Sequence, residues 1–140
     1  MNAVVIYESL TGNTREAAEL IGAELRGSGV DTTVCAIDAI DLAALAAADL
    51  VVVGSWVDGL FFFGQRPGRA GRLRQLPVIN GKRAAVFCTY AIDPGKTLTK
   101  LSDIVTERGG EVLGGVALHR NRLEEGAVDF VDRLLATVQT

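Results

Sequence analysis

Two kinds of hydrophobic pattern alternate along this chain, and that alternation restricts the fold more than any other feature. Val4-Val5-Ile6-Tyr7 is an unbroken β-branched and aromatic run, the pattern of a strand covered on both faces. Immediately after it, Ala17, Leu20, Ile21 and Leu25 recur at i, i+3, i+4 and i+8, which predicts a helix with one apolar side. Gly27-Ser28-Gly29 ends that helix.

The same alternation continues to the C-terminus. Val30 to Ile37 alternates as an edge strand does, and Asp41 can cap a short helix through Ala48. Leu50 to Gly54 is the next buried strand, and Ser55 to Pro77 reads as irregular. Arg83 to Thr89 is a fourth strand. Pro94-Gly95 opens a helix carrying Leu98, Leu101 and Val105, which Gly109-Gly110 stops. Glu111 to Leu118 is a fifth strand. The last helix, Glu124 to Val138, has Val128, Val131, Leu135 and Val138 on one side. Five strands separated by helices predict a doubly wound α/β fold, a five-stranded parallel sheet with helices on both faces, because parallel neighbours need crossover connections.

Composition bounds the functional classes. A chain of 140 residues without linker or repeat reads as one domain, 1–140. The charge balance of 14 basic against 17 acidic residues, net −3, is too mild to suggest nucleic acid or an anionic membrane as partner. No apolar run approaches the about 18 residues of a membrane span. The first strand starts within three residues of the N-terminus, leaving no room for a signal peptide. Cys35 and Cys88 are then expected to be reduced thiols of a cytoplasmic protein. A single histidine, His119, and the absence of CxxC or HExxH spacing argue against a metal centre.

The chemistry concentrates in the loop Ser9-Leu10-Thr11-Gly12-Asn13-Thr14, between the first strand and the first helix. A helix start presents unpaired amides and the positive end of its dipole, which suit a phosphate. Gly12 permits a tight turn, and Ser9, Thr11 and Thr14 each bring a hydroxyl. With no Lys or Arg inside it, the loop would hold an anion chiefly through neutral donors. Ser, Thr and Asn also gather at helix starts simply to cap them, and the loop alone leaves both roles open.

The spacing Ser-x-Thr-Gly-x-Thr resembles the phosphate loop of flavodoxins, and the order and length of the whole chain resemble that family too. The resemblance implies the strand order 2-1-3-4-5 that flavodoxins themselves exemplify, with a ligand outside the strand ends between the first and third strands. It implies FMN as cofactor, its phosphate on Ser9–Thr14. It also implies a ring site built from Ser55-Trp56-Val57-Asp58 and from Thr89-Tyr90-Ala91. Trp56 matches the family's stacking aromatic, although a core role and stacking by Phe61-Phe62-Phe63 remain open. The implied function is electron transfer between a reductase and an acceptor, a carrier more than a turnover enzyme. Two alternatives stay open, an NAD(P)H-dependent quinone or flavin reductase and a flavin-free binding module. Other users of this topology fit poorly. Glu8 lacks the acidic neighbour of a phosphorylation receiver. Neither cysteine has the arginine six residues on that a low-molecular-weight phosphatase needs, for Asp41 and Pro94 stand there.

Two departures from the family pattern bear on function. Arg66, Arg69, Arg72 and Arg74 replace the carboxylates usual around the flavin and would suit an acidic partner. The Phe61–Phe63 triplet is a candidate homodimer patch. Val57 stands where flavodoxins typically have Gly or Asn, and a β-branched residue strongly resists positive φ. The backbone rearrangement that accompanies one-electron reduction in the family is therefore hindered. Photoreduction of the FMN-loaded protein should pass to the fully reduced state with little blue radical, and a stoichiometric blue species would contradict this.

Overall fold

The computed structural model describes residues 1–10, 12–58, 66–67 and 70–138. In chain order the elements are β1 (Asn2–Tyr7), α1 (Asn13–Gly27), β2 (Asp31–Ala36), a short 3₁₀ turn at Ile37–Ala39, α2 (Leu42–Ala47) and β3 (Leu50–Asp58). They continue with β4 (Arg66–Pro67), α3 (Ala70–Leu73), β5 (Arg83–Tyr90), α4 (Thr97–Glu107), β6 (Glu111–His119) and α5 (Leu123–Val138). Five of these strands run parallel in the order β2-β1-β3-β5-β6. Counting the long strands alone, that is the expected order 2-1-3-4-5.

Strand alternation sorts the core into two layers. Val5, Val52 and Phe87 face α1 and α5, where Ile21, Leu25, Phe130, Val131 and Leu134 cover them. Val4, Ile6, Val51, Val53 and Val86 face the other way, onto Leu45, Leu73, Leu101, Ile104 and Val105. Both sides of β1, β3 and β5 are buried, so their sequences carry no polar alternation. Asp41 caps α2 as expected, its carboxylate accepting the Ala44 N–H at 3.0 Å. Among the described residues no helix is long and apolar enough to cross a membrane.

Two local expectations need correction. The stretch after Gly54, read as irregular, begins as four more residues of β3. Ser55 and Trp56 pair with Cys88 and Thr89, and Val57 and Asp58 pair antiparallel with Pro67 and Arg66. The ladder continues because β4 and β5 both offer partners that no sequence period announces. Secondly, α5 turns its buried side toward Ala127, Phe130, Val131 and Leu134, while Val128 is exposed. The valine spacing is helical, but it follows a line off the centre of the buried face. Leu20 on α1 is likewise only half-buried, while its neighbours Ala17 and Ala18 are fully buried. The calls on Thr11, Phe61–Phe63 and Arg69 lie outside the described residues, and Asp58 and Arg66 are described as backbone.

Gly54 is the tightest point of the sheet. A Cβ there would overlap the ring of Phe87, which is fully buried and has nowhere to go. Gly54→Ala should cost about 1–3 kcal/mol of stability, read as a lower urea midpoint at unchanged slope.

Cys35 and Cys88 are both free, the second fully buried. Burial pushes the Cys88 thiol from its ordinary 9.0 up to about 12 and raises the half-buried Cys35 thiol as well. The fold thus favours the neutral thiol. Stability from this source is fully present below pH 9 and is lost as pH climbs toward 12. Over that range wild-type stability should fall more steeply than that of Cys88→Ala. Parallel curves would mean that the thiol ionises freely in the fold.

Candidate functional site

Parallel pairing brings the C-terminal ends of β1, β3 and β5 side by side, Tyr7 against Gly54 and Trp56 against Thr89. The loop after β1 is tied to β3 at once, since the Glu8 N–H donates to the Gly54 carbonyl at 3.0 Å. Glu8 turns its carboxylate inward, and the Arg72 guanidinium meets it at 3.3 Å while also reaching Asp38 at 3.5 Å. Arg72 comes from α3, so a buried acid under the loop is balanced by a cation from a distant element.

Gly12 is the N-cap of α1 at φ +98°, a conformation that strains any residue with a side chain. Its carbonyl accepts the Glu16 N–H at 2.9 Å and starts the helix. Ser9 Oγ accepts from the amides of Gly12 at 3.2 Å and Arg15 at 3.3 Å. This hydroxyl therefore has the capping role that the loop's composition left open, and its own O–H still adds a donor to the loop. Thr14 behaves differently from the expectation. Its hydroxyl is buried and shares a 2.8 Å hydrogen bond with the hydroxyl of Thr89, which is also buried. Two residues expected to face a ligand separately instead pin the start of α1 to the end of β5. Ser9, Leu10, Gly12, Arg15, Asp38 and Arg72 are among the residues lining a cavity of about 360 Å³ beside the loop.

The second and third stretches complete the mouth. Ser55 is fully buried and Trp56 half-buried on the extended end of β3, and Val57 is half-buried. Pairing with Pro67 and Arg66 holds Val57 and Asp58 in extended backbone, a second reason for Val57 to resist rearrangement. Beyond Thr89, Tyr90 meets the His119 ring edge-on, with centroids 5.3 Å apart. His119 Nε2 lies 2.9 Å from the Ala91 carbonyl, and the Asn121 N–H donates to Nδ1 at 3.1 Å. Asp93 then accepts the Gly95 N–H and turns the chain toward α4. Leu10 and Ile92 stand out on these loops, 61 % and 80 % exposed.

Three features escaped sequence reasoning: the Thr14–Thr89 bond, the Glu8–Arg72–Asp38 set, and His119. Register alone signals the last, because His119 falls opposite Tyr90 when β5 and β6 are paired. Of the four arginines after the Trp56 segment, Arg69 and the side chain of Arg66 lie outside the described residues. Arg72 is engaged with two carboxylates, and the Arg74 carbonyl receives the Arg108 guanidinium.

The donor set fits a phosphate ester, with the amides of a helix start, a serine hydroxyl, a left-handed glycine and Arg15 at the rim. Comparison with known proteins identifies the family. The flavodoxin domain model matches residues 4–117. A flavodoxin of Clostridium beijerinckii is 23% identical over 128 residues, covering 91% of this chain and 93% of that protein. The crystal structure of oxidised Flavodoxin 2 from Bacillus cereus shares the fold at a TM-score of 0.72 and 22% identity, over 99% of both chains. A cysteine-to-serine mutant of flavodoxin from Pseudomonas aeruginosa does so at 0.76 and 16% identity, over 100% of both. The chain belongs to the flavodoxin domain family, and that membership brings FMN as its cofactor and electron transfer as its chemistry.

Proposed function

We propose that this protein carries electrons between a reductase and an acceptor protein in the cytoplasm, with FMN held non-covalently at the ends of β1, β3 and β5. Bound FMN supplies the redox chemistry, while the residues bind, orient and shield it. Ser9, Leu10, Thr11, Gly12, Asn13 and Thr14 surround the phosphate. Ser55, Trp56, Val57 and Asp58 flank one side of the ring, and Thr89, Tyr90 and Ala91 the other. The observation that carries this reading is the buried Thr14–Thr89 hydrogen bond, because it draws the phosphate loop and a ring loop into one site. A half-buried Trp56 offers a flat face that keeps water from a stacked ring.

Leu10 and Ile92 supply an apolar rim on two of the three loops. We take that rim, not the arginines, as the surface a redox partner covers, since scattered charges at the edge of a contact contribute mainly to encounter rate. Arg72 is committed to Glu8 and Asp38 and is a poor docking charge.

Fluorescence titration of the purified protein tests the assignment. A phosphate held by two or three hydrogen bonds of about 1.5–3 kcal/mol each should make FMN bind at least about a hundredfold more tightly than riboflavin. Thr11→Asp places a carboxylate in the loop and should narrow that ratio by about tenfold or more. Equal affinities for FMN and riboflavin in the wild type would show that residues 9–14 merely cap the helix.

A further inference from the structure

We infer that His119 is a positioning residue for the cofactor loop after β5, and that its neutral imidazole links FMN binding to pH. This rests on the proposed reading that Thr89, Tyr90 and Ala91 border the flavin. His119 ends β6, directly opposite Tyr90 in the ladder, and it is the only histidine of the chain.

The two ring nitrogens have fixed and different roles. A backbone amide can only donate, so the Asn121 N–H at 3.1 Å makes Nδ1 an acceptor. The ring hydrogen therefore sits on Nε2 and is donated to the Ala91 carbonyl at 2.9 Å. Ala91 is the first residue beyond β5, where the ladder no longer holds the backbone. Its carbonyl is held by this imidazole, and Tyr90 packs edge-on against the same ring. The Arg120 N–H donates to the Tyr90 carbonyl at 2.9 Å, so both residues of the loop's root are held from the end of β6.

Protonation breaks this arrangement. A second hydrogen, on Nδ1, would point at the Asn121 N–H, donor against donor. Either the ring swings away or the turn at residues 119–121 opens, and each movement pulls Nε2 from Ala91. Neighbouring charges do not decide the matter. The groove beside the ring is lined from α5 by Glu125, Asp129 and Arg133, from the turn before it by Arg122, and from β5 by Tyr90, so the charges are two of each sign. On the loop itself Asp93 is turned to the Gly95 amide. The hydrogen-bond polarity is what makes the neutral ring the one that fits.

Two measurements test the inference. Nitrogen-15 NMR of the imidazole, unambiguous with one histidine, should show hydrogen on Nε2 at pH 8 with or without FMN. Hydrogen on Nδ1 would overturn the proposal. FMN affinity is then measured from pH 8 to 5.5 for the wild type, His119→Gln and His119→Ala. Titration of the FMN phosphate affects all three alike, so the differences report the side chain. The wild type should lose about tenfold more affinity across this range than His119→Gln, which keeps an N–H but does not titrate. His119→Ala should be about tenfold weaker already at pH 8, with the same shallow profile as His119→Gln. Superimposable profiles for wild type and His119→Gln would overturn the role of His119. Failure of the wild type to bind FMN at any pH would overturn the cofactor reading itself, and the coupling with it.

Discussion

Burial of β1, β3 and β5 on both faces is the constraint on which everything else depends. A strand covered on one side can sit in an antiparallel hairpin, but one covered on both needs a helical layer above and another below. Each parallel neighbour then requires a crossover, and every crossover leaves its strand at the same end of the sheet. The three loops of the candidate site are gathered by that requirement. Gly54 shows how tight the constraint is: it lies between Tyr7 and Phe87 in the sheet, and the Phe87 ring fills the space a side chain would take.

The site inherits its chemistry from these strand ends. The positive end of the α1 dipole, a glycine in left-handed conformation and the Ser9 hydroxyl make a neutral cradle suited to an anion. Glu8, the buried acid beneath the loop, is paired with Arg72, which also reaches Asp38. Charge is handled locally, and the net charge of −3 has little to do with it.

Most of the architecture was legible in the sequence because two-sided burial and amphipathic spacing are local patterns. Val4–Tyr7, Leu50–Gly54 and the helix over Ala17–Leu25 are recognisable without knowing their neighbours. What stayed hidden depends on pairing between distant segments. The extension of β3 through Asp58 exists because Pro67 and Arg66 lie beside it, and no period in Ser55–Asp58 announces that. The exposed side of Val128 depends on where α1 and α5 sit relative to each other. In the loop, sequence composition identified hydroxyls suited to a phosphate but could not show that Thr14 spends its own on Thr89, 75 positions away. His119 likewise has no meaning until β6 is placed next to β5.

The Thr14–Thr89 bond also limits how such a site can vary. Replacing either threonine by an apolar residue strands the other's hydroxyl in a buried place, which costs about 1–3 kcal/mol, whereas replacing both by valine removes donor and acceptor together. The two positions are thus strongly non-additive. Exchanging the start of α1 for another sequence is therefore least costly when the end of β5 changes with it.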